Sequence, residues 1–412
     1  ETPMVRRAAA THLGVVAEKM EAAFVVSDLV PMFTDLAKDE QDSVRLLVVE
    51  ACARVALATP EAERESAILP AVLECAQDKS WRVRYVVAGS FGDISQAFGE
   101  RITQECLAQH VVALVGDSEA EVRAVACSKL AESCRLLNCE QLVSQMIPTV
   151  QAAAADDCEH VRSSLASSVM SLSMQLGKDN TQQYLLPLFM DLLKDSSSDV
   201  RLHLLSRLGD LNQVIGTAVL SQSLVPTITA LGQDEKWRVR IAVVVHVPKM
   251  AEQLGVDFFD DQVRALCESW LVDSVFAVRC AATENVRFMT EKFGVAWAGL
   301  HIIPNTLALA ESANYLHRSV SLMTMGHLGS VVPPDFLAQQ LLPKMAMLAD
   351  DNVPNIRFGV AKMFAKLSSC VTPQVLMEQI QPVLTKLQQD PDADVQFYAY
   401  TAMHDQKDLM EL

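Results

Sequence analysis

Catalytic signatures are missing from this sequence of 412 residues. Its nine histidines form neither an HExxH pair nor a ligand cluster, and no G-x-S-x-G elbow occurs. Gly177-Lys178-Asp179 lacks the upstream glycine and the Ser/Thr of a phosphate-binding loop. Paired acids such as Asp156-Asp157 stand where turns are expected and read as solvated carboxylates. A chain without enzymatic activity, metal or cofactor is the expectation. Glycine is scarce, with 15 residues, as a helical chain requires. No apolar run reaches transmembrane length, so no membrane insertion is expected. The ten cysteines contain no CxxC pair, and Cys127 and Cys134 lie seven apart, a core spacing on one helix. Free buried thiols point to a reducing compartment, cytoplasmic or nuclear. Positive charge is also in deficit: 34 Lys and Arg against 51 Asp and Glu, net −17, pI near 5.0. Nucleic-acid binding calls for a basic stripe, and this balance argues against it.

What is present is a repeat. From Val200 the apolar residues Leu204, Leu208 and Leu211 fall on one helix face, and Leu185, Leu188, Phe189, Leu192 and Leu193 form a second. Asp195-Ser196-Ser197-Ser198-Asp199 separates them with turn and N-cap residues. This helical hairpin, A then B, recurs. Val-Arg stands at Val5, Val44, Val83, Val122, Val161, Val200, Val239 and Val278, each 39 residues after the last, and continues degraded at Leu316, Ile356 and Val395. An Asp precedes it at Asp39, Asp78, Asp117, Asp156, Asp195, Asp234, Asp273, Asp351 and Asp390, with Glu311 in the gap. Helix A carries Pro31, Pro70, Pro148, Pro187, Pro226, Pro304, Pro343 and Pro382, with Gln109 and Ala265 in the two empty slots. Gly99, Gly177, Gly216, Gly255 and Gly294 read as left-handed C-caps, with Asn138 as the other residue suited to that conformation.

Residue types as different as these sharing one period define an all-α solenoid of the HEAT or armadillo kind, and two helices per unit favour HEAT. The whole chain, 1–412, reads as one solenoid: a half repeat at 1–21, then repeats at about 22–60, 61–99, 100–138, 139–177, 178–216, 217–255, 256–294, 295–333, 334–372 and 373–412. Helices packing about 10 Å apart would make a curved rod on the order of 100 Å long. Residues 1–20 read as a B helix alone, with Val5, Ala9, Leu13 and Val16 as its inner face, so the array is expected to begin mid-repeat. Pro333-Pro334 stiffens one linker, and the tail Asp405 to Leu412 is expected as a C-terminal cap.

The stacked turns are expected to alternate Asp and Arg as a ladder that fixes repeat register. Single exposed pairs are weak, and the series matters more than any member. The informative slot lies three residues after the Asp. It holds small or polar residues at Asp42, Ala120, Glu159, Ser198, Asn314, Pro354 and Ala393, but aromatics at Trp81, Trp237 and Phe276, with Tyr315 shifted by one. Arg82 and Arg238 follow the two tryptophans. Trp, Tyr and Arg dominate protein–protein hot spots, so two docking sites are expected on one edge: one around Trp81, the other from Trp237 to Arg318. Packing of these rings onto a neighbouring turn, and stacking on nucleic-acid bases, are the alternative roles. Trp270 and Trp297 lie within A helices and read as core.

Thr2-Pro3-Met4-Val5-Arg6-Arg7, Asp39-Glu40-Gln41-Asp42-Ser43-Val44-Arg45, Asp78-Lys79-Ser80-Trp81-Arg82-Val83-Arg84-Tyr85, Leu176-Gly177-Lys178-Asp179-Asn180-Thr181 and Asn314-Tyr315-Leu316-His317-Arg318 resemble the scaffolding A subunits of protein phosphatase 2A, in order along almost the whole chain. That family is a horseshoe of fifteen HEAT repeats, and the resemblance places this chain at repeats five to fifteen. It implies a non-catalytic scaffold within a hetero-oligomer. Turns of the N-terminal repeats hold a variable regulatory B subunit; those of the last five hold the serine/threonine phosphatase itself, the catalytic subunit. On that basis Pro3, Arg6, Arg7, Trp81 and Arg82 face the regulatory partner, and Trp237, Arg238, Phe276, Tyr315, His317 and Arg318 face the catalytic one. Phe276 stands where the family pattern suggests Tyr, Gln396 where a basic residue is usual, and Val243 to Val247 looks diverged. A karyopherin-like transport or other adaptor solenoid is the rival binding class. A HEAT-like DNA glycosylase is the enzymatic one, disfavoured by the net charge.

Overall fold

Each B helix starts where an extended residue hands over to an apolar stripe. The computed structural model describes residues 2–410; the side chains of 212, 217–223, 249, 253–254 and 405–410 lie outside the description, and with them the expected polar tail. Gln41, Ser80 and Glu119 are extended N-caps for Asp42–Ala58, Trp81–Ile102 and Ala120–Ser128. One turn in, the Val of every Val-Arg after Val5 is fully buried: Val44, Val83, Val122, Val161, Val200, Val239 and Val278, with Ile356 and Val395 alike. Each such side chain contributes roughly 1.5–3 kcal/mol of burial.

The A helices are bent. Ala22–Phe24 leads into a single π-turn, Val25–Leu29, and then Val30–Ala37 with Pro31 as its second residue. Proline has no N–H to give and its ring crowds the carbonyl four residues back; a wide turn just upstream removes both conflicts. The same sequence of turns precedes Pro70, Pro148, Pro187, Pro343 and Pro382. Thr103–Leu107 makes it before Gln109 too, so proline fits the bend without being required for it.

The chain divides into two compact units, Glu1–Leu220 and Ser221–Leu412. In the first, the B helices Pro3–Ala17, Asp42–Ala58, Trp81–Ile102, Ala120–Ser128 and Glu159–Ser168 pack each on the next, with A helices layered against them. In the second, Trp237–Leu254, Phe276–Phe293, Tyr315–Leu328, Pro354–Leu367 and Ala393–Met410 do the same. The chain is thus an all-α HEAT-type solenoid of two helical layers.

Three expectations change. The glycines do not take the left-handed helical conformation, although Gly255 and Gly294 do cap the C-termini of Trp237–Leu254 and Phe276–Phe293: Gly99, Gly177, Gly255 and Gly294 have φ of 80, 73, 84 and 91° with ψ between 161 and 177°. That region is open essentially to glycine alone. Asn138 does not join them; it is extended (φ −78°, ψ 166°) and forms a reciprocal capping box with Gln141, because its side chain offers the next helix an N-cap instead. On the first helix Leu13 is buried but Val5 and Val16 are exposed, so only part of the expected inner face is covered. A Cβ on Gly177 would meet nothing within 4 Å. Gly177→Ala therefore isolates the backbone cost, and a loss of about 1–3 kcal/mol in urea unfolding is expected. An unchanged midpoint would show that the junction relaxes to accept an L-residue.

Candidate protein-docking edges

The turns between A and B helices are braced by an ion-pair ladder. Arg45 Nε and Nη2 donate to Asp78 Oδ2 and Oδ1 at 2.6 and 2.8 Å, and its Nη1 donates to the Asp39 carbonyl at 2.7 Å. Asp78 Oδ1 also accepts the Ser80 N–H at 2.8 Å, closing the turn. Arg45 thus grips its own turn and the next. Arg6–Asp39, Arg84–Asp117, Arg123–Asp156 and Arg162–Asp195 repeat the pairing in the first unit; Arg240–Asp273, Arg318–Asp351 and Arg357–Asp390 repeat it in the second. The hydrogen bond from Arg123 holds Asp156 below the ordinary carboxylate pKa against the opposing effect of burial. Gln396, standing where Arg was expected, keeps half the role: its Nε2 donates to the Asp390 carbonyl at 2.7 Å.

Two of the residues expected to face partners, Arg6 and Arg318, belong to this ladder. Arg6 Nε donates to Asp39 at 2.5 Å. Arg318 Nε donates to Asp351 at 2.5 Å and its Nη1 to the Ser312 carbonyl at 2.9 Å. The outward cations are Arg7, Arg82 and Arg238, all exposed.

The aromatic slot is the first residue of the B helix rather than a loop position. Ser80, Lys236, Val275 and Asn314 are the N-caps; Trp81, Trp237, Phe276 and Tyr315 follow them. Pro3 opens the first helix in the same way, its missing N–H being one a helix start leaves unbonded in any case. Tyr315 is therefore in register, not shifted. Glu311 looked like the missing Asp, but its carboxylate takes Lys344 Nζ at 2.7 Å. Ser312 fills the Asp position instead: its carbonyl accepts from Arg318 and its Oγ accepts the Asn314 N–H at 3.2 Å. The buried-Val position accordingly falls on His317, half-buried, with Nδ1 3.1 Å from Ser312 Oγ.

At this slot the rings stay in water. Trp81 is 38 % exposed, Trp237 37 %, Phe276 60 % and Tyr315 43 %. In the first unit Arg82 lies over the Trp81 ring at 5.5 Å and reaches Asp42 at 3.6 Å. Tyr85, also exposed, meets Trp81 edge-on at 6.4 Å. Sequence reasoning passed over Tyr85, although its spacing of four from Trp81 places both on one helix face. In the second unit Arg238 lies over Trp237 at 4.7 Å and Arg279 over Phe276 at 5.6 Å. Because successive B helices pack side by side, Trp237, Phe276 and Tyr315 line one edge of that unit.

By contrast, Trp270 is buried and its Nε1 donates to the Gly232 carbonyl at 2.7 Å. Trp297 is buried against Phe259 and Phe293, with Nε1 3.1 Å from Asp260. Cys127 and Cys134 are buried thiols pushed up to about 12 by desolvation, whereas Cys139 is exposed. Among the described residues no group of His, Cys, Asp and Glu is arranged to hold a metal ion, and no helix is long and apolar enough to cross a membrane.

The two-layer solenoid, with an ion-pair ladder and exposed rings along its turns, has the HEAT-repeat fold. Residues 68–98 match the HEAT repeat, and residues 100–177 match the PPP2R1A-like HEAT repeat. The curated relatives share a class of name. The chain is 35 % identical over 104 residues to the regulatory A-subunit of protein phosphatase PP2A from Saccharomyces cerevisiae, covering 24 % of this chain and 16 % of that protein. It is 46 % identical over 68 residues to a probable serine/threonine-protein phosphatase PP2A regulatory subunit of Caenorhabditis elegans, 16 % of this chain and 12 % of that one. The matched segments thus span well under a fifth of those relatives. Among solved structures, Kap121p bound to Nup53p superposes with a TM-score of 0.71 at 14 % identity, covering 98 % of this chain and 45 % of that one. Importin β superposes at 0.67 with 12 % identity, covering 99 % and 54 %. At such identities the likeness is one of fold.

Proposed function

We propose that this chain is a non-catalytic scaffold that holds the catalytic subunit of a PP2A-type serine/threonine phosphatase together with a regulatory B-type subunit, in the cytosol and nucleus. The observation that carries it is the placement of large, cation-capped rings in water at the start of B helices. A folded chain gains nothing from leaving Trp237 there, while a partner that covers it gains an anchor. Relatives named as PP2A regulatory subunits support the class of partner. In this reading Trp237, Arg238, Phe276 and Tyr315 grip the catalytic subunit with His317 and Arg318 bracing the turn. Pro3, Arg7, Trp81 and Arg82, with Arg6 as brace, serve the regulatory one. The scaffold accelerates substrate capture by raising the effective concentration of one partner near the other.

The test is gel filtration of the purified chain with recombinant PP2A catalytic subunit. Co-elution as a stoichiometric complex is expected, and separate elution sinks the proposal. The fold shared with importin β and Kap121p favours a transport adaptor as the second reading; capture of importin cargo with no phosphatase association would establish it.

A further inference from the structure

One rung of the ladder lacks its carboxylate. Arg279 Nη1 donates to the carbonyls of Asp273 and Ser274 at 2.7 and 3.0 Å, as Arg45 and Arg240 do in their own turns. On the far side its Nε and Nη2 should meet an aspartate. The position holds Ser312, whose hydroxyl is engaged by His317 and by the Asn314 N–H. Glu311, the neighbouring acid, is turned to Lys344. Asp273 is already held by Arg240 on both oxygens, at 2.8 Å each. Arg279 is 5 % exposed, yet it has no ion pair among the described residues. A buried guanidinium with unfilled donors favours binding a carboxylate: the desolvation cost is already incurred, and the fork geometry is fixed.

The location adds a second argument. Arg279 lies under the Phe276 ring, the most exposed of the edge aromatics, and between the turns that carry Phe276 and Tyr315. In a chain of net charge −17 this is a local cationic spot flanked by apolar anchors. Anchors around a desolvated charge site are the layout of a hot spot.

We propose that Arg279 is the receptor for an acidic side chain, Asp or Glu, of the protein that docks across Phe276 and Tyr315. The partner's carboxylate completes the rung that Ser312 leaves open. This rests on the reading of that edge as the catalytic-subunit site, and the experiment separates the two.

The decisive variant is Ser312→Asp, which supplies the carboxylate from within. Its melting temperature is expected to rise by about 2–4 °C. Its affinity for recombinant PP2A catalytic subunit is expected to fall about tenfold, with a shallower salt dependence than wild type. Arg279→Lys should weaken the complex in the same direction, since an ammonium cannot make the bidentate pair. An unchanged melting temperature would mean that the added carboxylate does not reach Arg279, and overturns the geometry. Stabilisation with undiminished affinity overturns the partner contact. If wild type shows no binding of the catalytic subunit, the functional reading fails and a second arm decides. In arginine-Nε-labelled protein, titrated acetate should shift the Arg279 Nε–H signal in wild type and leave Ser312→Asp unmoved. No shift in wild type overturns the site itself.

Discussion

Trp237→Ala is expected to weaken the proposed binding of a PP2A catalytic subunit by about 2 kcal/mol or more, roughly thirtyfold in Kd, with helicity unchanged. The size follows from position. The ring is a little over one third exposed, so part of its surface rests on the fold and the remainder is available to a partner. Arg238 stacks over it at 4.7 Å, so truncation also removes the platform that orders that cation. The backbone role of the residue survives, because a first helical residue gives its N–H to no intrahelical carbonyl. Calorimetry against the catalytic subunit, with circular dichroism on the same samples, separates contact from fold. Unaltered affinity would mean that the ring is packing and no more. Trp81→Ala, in the other unit, is the control that should leave this partner's affinity intact.

Arg45→Met destabilises the fold by about 3 kcal/mol at neutral pH. Arg45 and Asp78 are both almost completely buried, and methionine fills the stem while leaving the aspartate without its partner. Burial alone would raise the Asp78 pKa; the hydrogen bonds from Arg45 and the Ser80 N–H outweigh it and depress the value below 3.8. A carboxylate with a depressed folded pKa contributes stability above its unfolded pKa and loses it as pH falls through the folded value. Wild type should therefore weaken as pH drops below about 3.8, while Arg45→Met, freed of an unpaired charge once Asp78 protonates, loses less. Urea midpoints across pH should converge at the acid end. A parallel pair of curves would show that the rung is electrostatically silent.

The architecture was legible because a solenoid writes the same instruction repeatedly. Two helices per unit, the buried valine and the Asp–Arg pairing all follow from residue type and spacing. The exposed rings were legible for the converse reason: against a repeated background, Trp81 and Trp237 are misfits. What escaped is what residue type does not encode. Residue type favours the acid Glu311 for the Asp slot, whereas the strict 39-residue spacing from Asp273 and to Asp351 falls on Ser312, and the direction of Arg318 Nη1 shows that Ser312 is the member in line. One residue of slippage there displaced Tyr315, moved the buried position from His317 to Leu316, and hid the open rung at Arg279. The glycines were chosen correctly and their conformation wrongly, since a C-cap and an extended turn with positive φ both call for a missing Cβ. Tyr85 was passed over because an exposed tyrosine on a helix is unremarkable until its neighbour is a half-exposed Trp.

The residue that opens each B helix has no fixed task in the fold. Proline, aspartate, tryptophan, alanine, glutamate, serine, phenylalanine and tyrosine all occupy it along this one chain, and from Asp42 to Phe276 the residue two places on is the same buried valine. Selection for recognition and selection for folding therefore act on different letters, one turn apart. A molecule built this way acquires or abandons an ally by single substitutions at its rim, and its interior never has to be renegotiated.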